Sequence, residues 1–426
     1  MIQKYLFCFV LTCLFFIDAH AEIDSTSEIN QNSTISALKF VGLNRTDASV
    51  VRDEISVKVG DRFNEKALLE SLRRLRNTRL FSKVTYQIDP VSEDQIRLSL
   101  ILEEKWTTIP IAKAGGGGGV NFFTLGVYDI NAFGKNLEIG GQYERFNESD
   151  SGVIWFRKPN FLGKRIHLSA DIWSIMRLRT SYDKDGNEVG GYLLDQKRTQ
   201  LMLSKELNRN FEIGAGVELN QFEIESDEVE GELRDLNREN GLSFSSKVDQ
   251  TSVVSSIRLG HLNWDNEVVE GQELKVLPRV IFNDSQASFQ VLGEYRHFWR
   301  FSGRQNIATL VRLGKTQSDF LEDQFYIGGL ENIRGFADRQ FSGDSFYQAN
   351  VEYRRPVYTH RLFKIQGNVF LDAGDTDFSG DPIYSSGVGF RIISDKVYRL
   401  NIRADYAFGF GRRNEQGFSF GLQQFF

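Results

Sequence analysis

Few residues in this chain have the types and spacing that chemistry needs. Gly417 to Gly421 reads "GFSFG" and matches the G-x-S-x-G of a nucleophile elbow. That motif works only at a sharp strand-to-helix turn. Here it lies inside an alternating stretch, so the serine has no elbow. "AGGGGGV", Ala114 to Val120, is as glycine-rich as a phosphate loop, but no G-K-[ST] and no helix follow it. Four histidines lie beyond the N-terminal leader, His167, His261, His297 and His360, and none has a spacing such as H-E-x-x-H. The acidic "ESDEVEGELRDLNREN" invites divalent cations but lacks the spacing of a calcium loop, so it reads as solvated charge. One stretch remains: "YIGGLENIRGF", Tyr326 to Phe336. Glycines around a single arginine fit a phosphate cradle, an ordinary surface loop, or something else. Its place in the chain has to decide.

The chain has 426 residues and a net charge of −6, so it lacks the basic balance of a nucleic-acid binder. Residues 1–21 read as a signal peptide: "MIQK", an apolar run "YLFCFVLTCLFFI", then "AHA" at Ala19 to Ala21. The alternative is a single membrane anchor, for which the run is short. Cys8 and Cys13 both fall in this leader. The mature chain then has no disulfide, no cysteine metal ligand and no thiol nucleophile. No later run approaches the ~20 apolar residues of a membrane helix. The 35 Phe and 38 Gly stand against 6 Pro and 3 Met.

After a short segment, 22–34, residues 35–105 read as one α+β domain of order β-α-α-β-β. "ISALKFV" is a strand. Thr46 or Asp47 caps a helix, "DASVVRDEISVK", that Gly60 ends. Asn64 caps a second helix in which Leu68, Leu72 and Leu75 form one stripe. "SKVTYQI" and "IRLSLILEE" follow as strands around "DPVSEDQ".

From about Ile111 helical periodicity disappears and alternation takes over. In "FYQANVEYRRP" Tyr347, Ala349, Val351 and Tyr353 face one way, and Gln348, Asn350, Glu352 and Arg354 the other. In "LFKIQGNVFLDAG" Val369 and Leu371 oppose Asn368 and Asp372. A soluble sandwich also alternates, but its strands average about 5–6 residues. These run to ten or more, with tyrosine and phenylalanine toward the ends of the apolar face. That pattern predicts an all-β transmembrane barrel of about sixteen antiparallel strands over residues 110–426. Short connections ("NAFGKN", "LNRNF", "FSGRQ", "YTHR") alternate with longer ones, 179–195, 222–248 and 316–344. The Arg334 motif falls in the last, between the eleventh and twelfth strands.

At this point the chain resembles the BamA/TamA/FhaC-type superfamily of outer-membrane assembly and secretion proteins, the bacterial surface antigen family. "VGLNRTDASVVRDEI", "VGDRF", "LRRLRNTRLFSKV" and "LILEEK" resemble one POTRA domain. "DINAFGKN", "RKPNFLGKR", "FYIGGLENIRGF", "YRRPV", "FLDAG" and "GVGFRI" with "RLNIRADYAF" resemble pieces of the barrel. The resemblance makes 316–344 the sixth extracellular loop, folded into the lumen. Arg334, with Gly328, Gly329, Gly335 and Phe336 around it, would then pair with Asp372 on the inner wall. Arg391, Arg403 and Asp405 would be further lumen charges. Assembly factors of this type commonly carry several POTRA domains, and two-partner secretion transporters two and a plug helix. Here one is read, with no plug helix and no lipase domain.

The expected function is an outer-membrane assembly factor, insertase or polypeptide translocator, not an enzyme, with no cofactor and no metal. The POTRA, in the periplasm, would capture a client along edge strand 82–89. The barrel would open between a weak first strand near 110–118, holding Gly116 and Gly117, and the last strand, 416–426, ending in Phe426. The glycine run reads equally as a tight extracellular turn. Partners would be membrane lipid, unfolded barrel or secreted clients, and periplasmic or lipoprotein partners at the POTRA, around a monomeric barrel. The alternatives are a passive channel or dedicated exporter of the same architecture, and a structural or adhesive surface protein.

Overall fold

Leucines spaced on one helical face and alternating apolar residues in two strands build the first domain. In this computed structural model the chain is described over residues 33–117, 120–147, 149–161, 166–265, 268–283, 286–301, 304–329, 332–394 and 401–422. The expected signal peptide lies outside the described residues.

The first domain runs β1 (Thr34–Val41), α1 (Ala48–Glu54), α2 (Glu65–Asn77), β2 (Phe81–Ser92) and β3 (Gln95–Glu104), the order expected. β3 is central, with β1 parallel on one side and β2 antiparallel on the other, so β2 is an edge. The Asn64 side chain accepts the Ala67 N–H at 3.0 Å and starts α2, a cap that contributes about 1 kcal/mol. Leu68, Leu72 and Leu75 are buried with Ile96, Leu98, Leu100 and Leu102 in one core.

Two local expectations change. α1 is capped by Asp47 but stops at Glu54, well before Gly60. Ile55 turns extended, and Ile55 and Val57 both enter the core. Alternating β-branched residues reach that core better from extended backbone than from a helix. The β2–β3 turn is also tighter, and Pro90 lies within β2 at a register shift. An edge strand and a bulge are where proline fits a sheet.

The second domain is a sixteen-stranded antiparallel meander from β4 (Thr108–Gly117) to β21 (Glu415–Leu422). Its members used below are β5 (Val120–Asp129), β8 (Ile166–Tyr182), β9 (Glu188–Asn208), β10 (Phe211–Glu225), β11 (Ser245–Asp265), β14 (Asn306–Thr316), β17 (Ser345–Thr359), β18 (Lys364–Thr376), β19 (Ile383–Ile393) and β20 (Asn401–Gly411). The burial is that of a barrel in lipid. Val369 and Leu371 are 51% and 62% exposed, while Asn368 and Asp372 are 5% and 3% exposed. The wall is uneven: β9 and β11 have 21 residues each, β4 has 10 and β21 has 8.

Two loops expected to be long are largely strand. Residues 179–182 and 188–195 belong to β8 and β9. The acidic segment shortens to 226–244 and contains a helix, α3 (Glu232–Asn240), so helical structure does not vanish after Ile111. The Asn237 side chain donates to the Gly191 carbonyl at 2.9 Å and accepts its N–H at 2.8 Å, tying α3 to β9.

At the end carrying the short turns the two domains meet. The Asn131 side chain donates to Thr46 Oγ1 at 2.9 Å, and the Asp47 N–H donates to the Gly134 carbonyl at 2.8 Å. Along α2, Arg74 pairs with Glu206 and Glu70 with Arg209, each at 2.8 Å. The Glu104 carboxylate braces this contact by accepting the N–H groups of Asn44, Arg45 and Thr46 at 3.2, 3.0 and 2.7 Å. Burial alone pushes the Glu104 pKa up; hydrogen bonds from Thr46, Arg45 and Asn44 outweigh it and hold the carboxyl below its ordinary range.

Candidate functional site

The 316–344 loop folds back on itself. β15 (Phe325–Ile327) pairs antiparallel with β16 (Phe341–Gly343), apart from the barrel sheet. Gly328 turns the chain out of β15 at φ +104°, and a Cβ there would meet the Ala337 carbonyl at 2.6 Å. Ile327, Ile333, Phe336, Phe341, Phe346 and Ile383 close a small apolar cluster around the hairpin. Gly335 has φ +93°, and its Cα sits 3.3 Å from where a side chain on Gly417 would begin. The Phe336 ring fills the space over Gly409. The loop tip therefore rests on β20 and β21.

This seating aims Arg334 at the inner wall. Its Nε and Nη2 donate to Asp372 Oδ2 and Oδ1 at 2.8 and 2.7 Å, a bidentate pair from β18. Its Nη1 donates to Glu352 Oε1 of β17 at 2.5 Å and lies 4.0 Å from Asp405 Oδ2 of β20. The guanidinium carbon stands 3.4 Å from the centre of the Phe370 ring, a cation–π contact. Gly387, opposite Phe370 on β19, leaves room for that ring.

The network extends along the wall. Arg391 donates to Asp405 Oδ1 at 2.7 Å and lies 3.4 Å from Glu352 Oε1. Arg354 holds Glu352 Oε2 through Nε and Nη2 at 2.8 and 2.7 Å. Arg334, Arg354, Arg391, Glu352, Asp372 and Asp405 are all at most 3% exposed. Charges this deep persist only when matched in sign and hydrogen-bonded. Three cations and three anions meet that condition. The arrangement can fasten a loop; it presents no convergent metal-binding acids among the described residues.

Gly328, Gly329, Arg334, Gly335, Phe336 and Asp372 thus come together, and Arg391 and Asp405 join them. Arg403 is buried opposite Arg391 on the β19–β20 ladder. Gly116 and Gly117 stand apart, paired with Asn121 and Val120 at the end of the β4–β5 ladder. Phe426 lies outside the described residues. Sequence reasoning put Glu352 and Arg354 on the lumen face but did not single them out as site residues, and it missed Phe370. Only the strand parity pointed at them. Ser419 of "GFSFG" lies in extended β21 opposite Asp405, with no elbow.

The family model described as the Omp85 superfamily domain matches residues 131–426, and that of the surface antigen variable number repeat, the POTRA, matches 33–105. This chain belongs to the Omp85 superfamily. It is 23% identical over 355 residues to the outer membrane protein assembly factor BamA of Nitratidesulfovibrio vulgaris, covering 76% of this chain and 42% of that one. The chain therefore spans about two fifths of the curated relative's length. Among solved structures, BamA from Haemophilus ducreyi lacking POTRA domains 1–3 superposes with TM-score 0.56 at 16% identity, covering 92% of this chain and 84% of the other. CdiB from Acinetobacter baumannii reaches 0.61 at 18%, over 92% and 74%. CdiB from Escherichia coli reaches 0.61 at 14%, over 92% and 76%. All three share the fold. An Omp85 barrel preceded by a POTRA sits in the bacterial outer membrane, with the POTRA in the periplasm.

Proposed function

We propose that this Omp85 protein assembles or translocates polypeptides at the outer membrane, without catalysis. The observation that carries the reading is the seam. Among the described residues, hydrogen-bonded ladders join every neighbouring pair of the sixteen strands, while β4 and β21 lie side by side without one. An edge of this kind offers unpaired N–H and C=O groups to an incoming strand. The glycine end of β4 adds little packing to hold it shut. The loop tip sits on β20 and β21, so movement of those strands disturbs the Arg334 latch. In the periplasm, β2 presents a second free edge for a client in extended form, bound through main-chain hydrogen bonds. A cavity of 590 Å³ between α2 and the barrel, lined by Arg74, Glu206, Arg209, Arg258 and Lys275 among others, offers room for a chain passing from one to the other. Clients are unfolded barrels or secreted chains, and the POTRA is the place for a periplasmic or lipoprotein partner.

The test is reconstitution into liposomes, measuring the folding rate of an added unfolded outer-membrane barrel together with ion conductance. Faster folding than in protein-free liposomes is expected. A cysteine pair bridging β4 and β21 should abolish the gain until a reductant is added. Conductance with no acceleration of folding overturns the assembly reading and leaves a passive channel. Passage of a secreted chain without barrel folding assigns a dedicated exporter.

A further inference from the structure

The end of β18 and the turn toward β19 read D-T-D-F-S-G-D, Asp375 to Asp381. Counted from Asp375, side-chain oxygens fall at positions 1, 3 and 5, with glycine at 6. That is the first half of a helix–loop–helix calcium loop, whose seventh position contributes a backbone carbonyl. Gly380, the sixth, has φ +81°. Asp375 is 2% exposed, accepts the Gly380 N–H at 3.0 Å and accepts the Ser379 hydroxyl at 2.6 Å. The loop departs from the metal pattern twice. Asp377 turns away to accept the Ser345 N–H at 3.0 Å. The twelfth position, where a calcium loop carries glutamate, is Ser386.

The point on which the remaining oxygens converge is filled by a side chain from another turn. Arg412, between β20 and β21, places Nη2 3.1 Å from Asp375 Oδ1, 2.9 Å from Ser379 Oγ and 2.8 Å from the Asp381 carbonyl. These are positions 1, 5 and 7, the last through the backbone. Arg412 Nε adds a bond to the same carbonyl at 3.1 Å. Nη1 reaches the Lys184 carbonyl between β8 and β9 at 3.0 Å, and the guanidinium carbon lies 4.8 Å from the Phe341 ring centre. An ordinary surface ion pair is exposed and makes one contact. Here the arginine side chain is 10% exposed and its acceptors include two backbone carbonyls.

We propose that Asp375–Asp381 is a cation-binding loop whose resident cation is the Arg412 guanidinium. The loop receives from its neighbour the charge that a metal supplies elsewhere. Arg412 thereby pins the outer end of the last hairpin to the β18–β19 turn, to the β8–β9 turn and to the folded 316–344 loop. Removing the guanidinium vacates three convergent oxygens, which a calcium ion then occupies with water completing its shell. This assignment is independent of whether the protein assembles, exports or conducts.

The experiment compares the full folded chain, Arg412→Ala, and Arg412→Ala combined with Asp375→Asn. Calcium alone is titrated by calorimetry, and protease cleavage in the 411–415 turn is followed. The parent chain should show no saturable calcium binding at this loop. Arg412→Ala should bind one calcium ion with a Kd on the order of 10⁻⁴–10⁻³ M, the range of weak extracellular loops. It should be cut faster than the parent without calcium and be protected by it. Adding Asp375→Asn should remove both effects. The proposal is overturned if Arg412→Ala takes no calcium, if its binding survives Asp375→Asn, or if the parent binds equally well. If Arg412→Ala does not fold, calcium present during refolding should restore it, and failure of calcium to do so also overturns the proposal.

Discussion

In β3 the side chains that point inward are Ile96, Leu98, Leu100 and Leu102, none more than 3% exposed. In β17 those that point inward are Gln348, Asn350, Glu352 and Arg354, all at 0%. Both strands alternate, and both bury one face completely. The POTRA strand has water outside, so its leucines gather inside, each contributing about 1.5–3 kcal/mol on burial. The barrel strand has lipid outside, so its apolar face stays there and the interior is left to polar groups that must satisfy one another. Alternation chooses the faces, and the surrounding medium chooses which face is the inside. An apolar core tolerates loss of one member by the cavity it leaves, whereas a charged core has to remain balanced.

The sharpest test of that difference is Arg334→Ala. It leaves Asp372 and Glu352 buried one cation short, and should cost about 3–5 kcal/mol. The expected signs are a lower melting temperature and faster protease cleavage near Phe336. Arg334→Lys should recover little, since an ammonium cannot make the bidentate contact. Exchanging the charges, Arg334→Asp with Asp372→Arg, should recover part of the loss. If both single changes leave loop proteolysis unchanged, the latch has no structural role.

On the other side of the comparison, Leu72→Ala should cost about 2–5 kcal/mol and loosen the POTRA alone. Limited proteolysis should then digest residues 34–104 while the barrel stays folded. Joint loss of both domains would show that the contacts Arg74–Glu206 and Glu70–Arg209 make them one cooperative unit.

Val369→Arg places a charge on the lipid face near the middle of β18. It should cost about 2–4 kcal/mol, read as reduced folding into lipid vesicles. Asn368→Leu, one position away on the lumen face, exchanges the donor that reaches Asp405 at 3.3 Å for an apolar group and should loosen the charge network instead. Equal effects of the two on membrane insertion would contradict the inside-out assignment.

The smallest effect is pH-dependent. Glu104 has a pKa lowered in the folded state, so its contribution is complete above the ordinary glutamate value of about 4.3 and is lost as pH falls through the lower folded value. Acid should therefore weaken the POTRA before Glu104 is fully protonated. Glu104→Gln should flatten that acid limb, measured by POTRA melting between pH 6 and pH 3. An unchanged limb would assign the acid sensitivity elsewhere.

Much of this was legible in the sequence because the relevant signals are local. The Leu68, Leu72 and Leu75 stripe is local, as are the Asn64 cap and the parity that placed Asp372 in the lumen. α1 was overestimated because its helical pattern ran into Ile55 and Val57, whose burial outweighs continuation of the helix. α3 was missed because its nine residues offer only two apolar positions, Leu233 and Leu236, and its one buried residue, Asn237, bonds to Gly191 on another strand. Chain order could not reveal the uneven wall either, since the long loops read from charge are partly the protruding ends of β8, β9, β10 and β11.

The sequence by itself determined which side chains share a face, because the two-residue period of a strand is fixed by backbone geometry. It also determined that the loop around Arg334 needed glycine, through Gly328 and Gly335. The resemblance named Asp372 as the partner of that arginine; only the tertiary structure brought Glu352 and Asp405 to it as well. Glu352, Asp372 and Asp405 stand on three different strands, and they converge on one guanidinium only once the register of β17 through β20 is set and the loop has folded back over them. Distances across a sheet depend on pairing, and pairing is a property of the closed barrel rather than of any single strand.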